Sequence, residues 1–261
     1  MEDIKRQQVY EILLTPIVCT KYSNRNVEIE REKNVINSTQ TYYPCKKFHI
    51  TLDEDMSDFS VGFYEIIYKE LLNGNPIINN KNDGLFDRRF AGDTMNSFET
   101  IANLIPEAGD CKKNRTPCTK WPKFLQNYKM QYHCLANFWI LPIEIGRMID
   151  KNNEICKASY DFGIQDYMDI FLNKLKEKQI EIFTREPFNN FHDFAKVHFL
   201  IGSYVYNDTT VYKFSNGKLS GEMIIDRILD RIKLRATSIA NSDFAESLWD
   251  YFNKLGLIQK I

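Results

Sequence analysis

The sequence predicts an α+β fold, a mainly helical single domain with a small sheet. Three observations carry this. Apolar residues recur at helical spacing over most of the chain, as in Phe59, Phe63, Ile66, Ile67 and Leu71. Period-2 alternation appears only in short pieces, the clearest being Lys47 to Leu52. No internal repeat and no Gly/Ser linker interrupts the chain after residue 45.

Residues 1–44 read as an N-terminal arm or irregular layer. Val9, Ile12 and Leu13 can share one helical face, but Thr15-Pro16 stops it, and residues 20–41 are polar. Residues 45–261 read as the mainly helical globular domain. The strand Lys47–Leu52 opens it. Ser57 or Asp58 can cap the helix that carries Phe59 to Leu71, and Asn73-Gly74 ends it. A loop over residues 74–92 follows. Asp93 or Thr94 then caps a helix whose buried stripe is Met95, Phe98, Ile101, Ala102 and Ile105, ended by Pro106. Residues 121–141, dense in aromatics, are expected to be helical up to Pro142.

Further helices are expected from Ile164, Tyr167, Met168, Phe171 and Leu175, and from Phe188, Phe191, Ala195, His198 and Ile201. Ser220 caps a helix with Ile224, Ile225, Ile228, Leu229 and Ile232 inward. The last helix begins near Ser242, buries Phe244, Leu248, Phe252 and Leu255, and stops at Gly256. The small sheet is placed near 47–52 with 180–183 or 211–214.

A net charge of −1 on 261 residues makes bulk nucleic-acid binding an unfavoured function. No apolar run reaches the roughly 18 residues of a membrane span, and the charged start leads into no signal-peptide core. The expectation is a cytoplasmic protein with no membrane partner. The six cysteines are scattered without a Cys-x-x-Cys pair, so they are read as reduced thiols and no metal is expected. Abundant Asn, Lys, Ile, Tyr and Phe point to AT-rich coding, hence a low-GC bacterium or phage.

Three segments stand out: Gly92 to Phe98 (GDTMNSF), Tyr132 to Pro142 (YHCLANFWILP) and Phe188 to Phe194 (FNNFHDF). Their order and spacing resemble a bacterial family catalogued only as a domain of unknown function, over roughly residues 45–215. Its members show an Asp-Thr or Asp-Ser capped helix, an aromatic segment ending in Leu-Pro or Phe-Pro, and a later Phe-rich helix. The resemblance implies an intracellular bacterial protein. It supplies no activity and no catalytic residues.

Several constellations could carry chemistry. Asp93, Thr94, Asn96 and Ser97 crowd an expected helix start, where free N–H groups can hold an anion; capping alone also explains them. Arg88 and Arg89 precede it and could engage phosphate bidentately. His133 and Asn137 would share a helical face, with Arg147 beyond. His133-x-x-x-Asn137 is also reminiscent of the closing segment of HNH-type nucleases, although His49 is the sole upstream histidine and lacks the usual context. Arg185 and His192 match the loose Arg-to-His spacing of HEPN-type ribonucleases, interrupted by Pro187. Cys111, Cys118, His133 and Cys134 lack the tight spacing of a zinc knuckle. Arg227, Arg231 and Arg235 form an i, i+4, i+8 stripe interleaved with Asp226 and Asp230, which reads as a solvated, ion-paired face.

No P-loop, dinucleotide glycine pattern or nucleophile elbow occurs. The cofactor and the reaction, if any, are not specified by the sequence. Two functions follow. One is an enzyme or sensor with a polar pocket for a small anionic, nucleotide-like or phosphorylated ligand, held by Arg88, Arg89, Asp93, Thr94, Asn96, Ser97, His133, Asn137 and Arg147. The other is a non-catalytic module whose aromatic surface binds a protein partner.

Overall fold

A computed structural model describes residues 2–18, 36–37, 54–72, 90–102, 104–105, 107–108, 121–142, 168–177, 188, 190–207, 210–213 and 219–258. Helix α1 (Glu2–Leu14) buries Val9, Ile12 and Leu13. It packs on two helices from the far end of the chain, where Lys5 pairs with Glu246 at 3.2 Å and Trp249 Nε1 donates to Gln8 at 2.9 Å. A boundary at residue 45 therefore does not set this helix apart. After Pro16 come β1 (Ile17–Val18) and β2 (Ile36–Asn37), which pair in parallel.

A 3-10 turn (Glu54–Met56) leads into α2 (Asp58–Ile67), whose first turn is capped as expected: Ser57 Oγ accepts from the Ser60 N–H at 3.1 Å. Phe59, Phe63, Tyr64 and Ile67 face the core, and a short α3 (Lys69–Leu72) follows. Next is β3 (Phe90–Thr94), where the sequence suggested the end of a loop and a helix cap. The true helix, α4 (Phe98–Ala102), is five residues long. Its stripe is nonetheless inward, since Met95, Phe98, Ile101, Ala102 and Ile105 are all buried.

Helix α5 (Lys123–Gln131) is shorter than the aromatic run suggested. A 3-10 turn (Leu135–Asn137) ends it, and β4 (Phe138–Pro142) runs antiparallel to β3, with Asp93 opposite Trp139 and Thr94 opposite Phe138. The reason lies in the burial. Phe138, Trp139, Ile140 and Leu141 are consecutive and all buried, so both faces of the segment are covered. A continuous apolar run of that length suits a doubly covered strand, because a helix there would need periodic polar positions. Pro142, which has no N–H, falls at the strand end.

Helices α6 (Met168–Lys176) and α7 (Phe191–Val197) occupy the expected stretches, and Asn190 Oδ1 caps α7 from the Asp193 N–H at 3.0 Å. A small hairpin of β5 (Val205–Tyr206) and β6 (Thr210–Val211) turns at Asn207, whose φ is +47°. Of the expected sheet segments, 47–52 and 180–183 lie outside the described residues. Helix α8 (Gly221–Ala240) is capped by Ser220 and buries Ile224, Ile225, Ile228 and Ile232. Helix α9 (Ala245–Lys254) buries Leu248 and Phe252 but leaves Leu255 exposed, and the chain turns at Gly256, with φ of +74°.

One core joins these parts, with α1, α5 and the 3-10 turn 135–137 against α8, and α2 against α9. No helix among the described residues is long and apolar enough to cross a membrane.

The closest helix approach is at Gly62. A Cβ there would lie 2.4 Å from the Tyr251 hydroxyl, which itself accepts no shift freely because it donates to the Phe59 carbonyl at 3.1 Å. Gly62→Ala is expected to destabilise by about 1–3 kcal/mol through overpacking, despite the better helix propensity of alanine. Urea unfolding of Gly62→Ala, Tyr251→Ala and the double variant checks this. A double-variant loss smaller than the sum of the two single losses is expected, since alanine at 251 removes the clash.

Candidate functional site

The polar residues singled out in the sequence divide into three groups. Arg88, Arg89 and Arg147 lie outside the described residues. Asp93 and Thr94 belong to β3, so neither caps a helix, and the anion-binding helix start expected there does not form. His133 precedes the extended Cys134, and Asn137 is the last residue of the 3-10 turn 135–137, so the two do not share an α-helical face, and the HNH-like reading loses its geometry. Of the HEPN-like pair, Arg185 lies outside the described residues, while His192 is exposed on α7.

Asn96 and Asn137 do come together, in the core. Both are fully buried. Asn137 Nδ2 donates to the Tyr132 carbonyl at 2.8 Å and to the Asn96 carbonyl at 3.3 Å. Two carbonyl acceptors fix which end of that amide is nitrogen. Its Oδ1 must then accept, and it does so from Asn96 Nδ2 at 2.9 Å. The second proton of that nitrogen goes to the Tyr204 hydroxyl at 2.7 Å, and Tyr128 donates to the Asn96 carbonyl at 2.7 Å. The Met95 N–H donates to the Asn137 carbonyl at 2.8 Å and extends the β3–β4 ladder by one bond. This pair is a structural weld. Burial raises the Tyr204 phenol far above its ordinary value, with the Asn96 hydrogen bond opposing. Ser97, in the turn after β3, is half-buried at the edge of the weld.

A second buried network was not legible in the sequence. Arg235 is not on a solvated face. It is 0% exposed. Residues four apart on a helix drift by about 40° per step, so the third arginine of the stripe lies about 80° round from the first, inside the core. Nε donates to the His198 carbonyl at 2.8 Å, Nη1 to the Ala136 and Phe138 carbonyls at 2.8 Å each, and Nη2 to the Tyr68 hydroxyl at 3.2 Å. No carboxylate among the described residues forms an ion pair with it. Three carbonyl dipoles and a phenol replace its water. Tyr68 in turn meets His198 Nδ1 at 3.0 Å. Burial pushes the Tyr68 phenol up to about 12, against the opposing charge of Arg235. Burial, then the Arg235 charge, hold His198 well below its ordinary value. One turn earlier Arg231 lies over the Tyr212 ring at 4.3 Å and donates to the Ser203 carbonyl at 3.1 Å.

The remaining polar residues meet at a corner where the 3-10 turn 54–56 covers the end of β3. His133 Nδ1 is 3.4 Å from Glu54 Oε2, close enough for charge attraction but not aligned for a hydrogen bond. The two side chains are 13% and 12% exposed. The imidazole stacks on Tyr132 at 3.9 Å and meets the Phe138 edge at 5.7 Å, while its backbone carbonyl accepts from the Ile17 N–H at 2.7 Å. Beside it, Thr94 Oγ1 donates to Asp55 Oδ2 at 3.2 Å, and Asp93 Oδ1 accepts from the Thr94 N–H at 2.9 Å. Tyr64 donates to the Asp55 carbonyl at 3.0 Å. Burial first, then the Asp55 charge, hold its phenol well above the usual range, with Tyr68 and Asp93 adding to the effect. The corner thus sets His133 against Glu54, with Asp55 of the same 3-10 turn bonded to Thr94. Glu54 and Asp55 were not singled out in the sequence.

Other features carry less. Among the described residues no three His, Cys, Asp or Glu side chains are grouped to hold a metal ion. Cys134 is buried. A surface hollow of about 430 Å³ between α1 and α9 mixes both charge signs, and Lys5 with Glu246 and Arg6 with Glu2 pair within it. Of the aromatic-dense segment 121–141, Trp121, Tyr128, Tyr132, Phe138 and Trp139 are buried and Phe124 is half-buried. Compared with known proteins, the chain matches no family model, no curated protein and no solved structure.

The Arg235 network yields a direct expectation. Arg235→Met leaves three buried carbonyls without a donor, at about 1–3 kcal/mol each, so the fold is expected to lose about 3 kcal/mol or more. Arg235→Lys keeps the charge but not the planar fork, and is expected to recover less than half of that loss. Arg227→Met, at the half-buried end of the stripe, is expected to stay within about 0.5 kcal/mol of the parent. Equilibrium urea unfolding compares the three. An Arg235→Met protein as stable as the parent contradicts the assignment.

Proposed function

We propose that this protein binds a small polar ligand at the His133–Glu54 corner and moves a proton there. The observation that carries the reading is the 3.4 Å approach of His133 Nδ1 to Glu54 Oε2, with both side chains only about one-eighth exposed. With the Glu54 carboxylate on the Nδ1 side of the ring, Nε2 is the nitrogen that meets the ligand, the arrangement general acid–base chemistry needs.

The ligand class follows from charge. The carboxylate of Glu54 beside His133 disfavours an anion at this corner, and Asp55 on the same turn adds to the negative charge. A nucleotide-like ligand is therefore recognised through its uncharged part. A nucleoside or sugar can donate hydroxyl or amino protons to a carboxylate such as Glu54, and Tyr132, buried against the imidazole, backs His133 from the core side. Asn96 and Asn137 act from behind, by fixing the chain between β3 and β4.

A thermal-shift panel of nucleosides, sugars and their phosphorylated counterparts tests this. At 100 times its dissociation constant a ligand adds about 2.7 kcal/mol of apparent stability. At least one uncharged compound is expected to raise the melting temperature more than its phosphate ester does. His133→Ala and Glu54→Gln are each expected to remove that shift. A panel with no stabilising compound, or a consistent preference for the phosphorylated forms, rejects the reading.

A further inference from the structure

The buried chain Arg235–Tyr68–His198 sets a proton order that ordinary core residues lack. A guanidinium only donates, so the Tyr68 oxygen accepts from Arg235 Nη2 at 3.2 Å. The single phenol proton then goes to His198 Nδ1 at 3.0 Å. Nδ1 is therefore the acceptor, and the neutral ring carries its proton on Nε2. That nitrogen is buried without a hydrogen-bond partner, among the rings of Trp139, Phe188 and Phe194.

A second proton on His198 has no place in this order. Nδ1–H and the Tyr68 O–H would both point donors into the same short gap. The new cation would also face Arg235, whose Nε holds the His198 carbonyl at 2.8 Å. The titratable groups that face His198 are Tyr68 from α2 and Arg235 from α8. On its own helix His192 and Lys196 are exposed and Asp193 is half-buried. No carboxylate among the described residues pairs with the ring.

We propose that His198 makes this junction an acid-sensitive latch: protonation releases Tyr68 and Arg235, and with them the segment 136–138 that Arg235 holds. The segment matters because the Ala136 and Phe138 carbonyls flank Asn137, and the Phe138 ring touches His133. The sign follows from linkage. The closed form keeps His198 neutral, while an open form titrates near the ordinary histidine value of about 6.5. The open form binds more protons below that pH, so the latch loses stability as pH falls through about 6.5 and keeps it above. The limit for one proton is tenfold in the opening constant per pH unit. The control of the His133 corner rests on the function proposed above; the latch itself does not.

Hydrogen–deuterium exchange of the full chain from pH 7.5 to 5.5, corrected for the chemical exchange rate, tests it without any ligand. Backbone amides of 133–140 and 196–205 are expected to lose up to tenfold protection per pH unit below about 6.5. His198→Gln keeps an acceptor for Tyr68 but cannot ionise, and its protection is expected to be flat with pH. Protection of the parent that does not change with pH overturns the proposal, as does a His198→Gln slope equal to that of the parent. If His198→Gln does not fold, imidazole nitrogen NMR of the parent decides. A neutral Nε2–H ring persisting well below pH 6.5 in the closed protein, with falling protection, supports the latch; a ring titrating near 6.5 with unchanged protection overturns it. Because no ligand is present, failure of the thermal-shift panel leaves this result standing.

Discussion

The guanidinium of Arg235 is the constraint on which the rest of the structure depends. A buried cation loses several kcal/mol of hydration even after the protein relaxes around it. It can stay charged only where the chain supplies oxygen in the right directions. Here the oxygens come from the end of α7, from the carbonyls on either side of Asn137 and from the end of α2. The planar fork reaches them in fixed directions. Each of those segments must therefore sit at one distance and one rotation relative to α8. Apolar packing alone tolerates sliding; a set of hydrogen bonds near 2.8 Å does not.

The amide pair of Asn96 and Asn137 acts on the same short segment from the other side. Arg235 grips residues 136 and 138, and Asn96 grips residue 137. The β3–β4 ladder then begins in register, with Thr94 facing Phe138. A one-residue slip would turn the Trp139 and Thr94 faces over and would also break both welds. Two buried polar networks thus specify what the apolar run Phe138 to Leu141 leaves undetermined. Buried polar groups confer this kind of specificity most fully when every member is satisfied; Asn137 is satisfied at both ends, whereas Asn96 Oδ1 is buried without a hydrogen-bond partner.

His133 owes its position to these welds. It precedes the gripped segment, packs tilted against Tyr132, and is tied through its carbonyl to Ile17 of β1. The 3-10 turn 54–56 brings Glu54 and Asp55 against the same end of β3. His133 thus lies just before the β4 strand with one carboxylate, Glu54, within 3.4 Å. The protein has its polar machinery in two layers. The deeper one is closed and sets shape; the shallower one retains exposure and meets solvent.

Much of the fold was legible in the sequence by itself. Ser57 and Ser220 announced helix starts, Gly256 an end, and stripes such as Ile224 to Ile232 announced the core, because capping and 3.6-residue periodicity are local properties of the chain. Met95, Phe98, Ile101 and Ile105 were correctly read as buried even though most of their segment is not helical, since burial follows hydrophobicity before it follows conformation. The tertiary structure decided the rest. Asp93 and Thr94 have cap chemistry, but pairing with a segment over forty residues away made them strand. Arg235 sits in a stripe that looks solvated, and only distant carbonyls make its burial tolerable. The Asn96–Asn137 bond and the His133–Glu54 approach join residues far apart in the chain. Sequence fixes what a side chain can do; which partner satisfies it depends on non-local desolvation and hydrogen bonding, which exist only once the chain has folded.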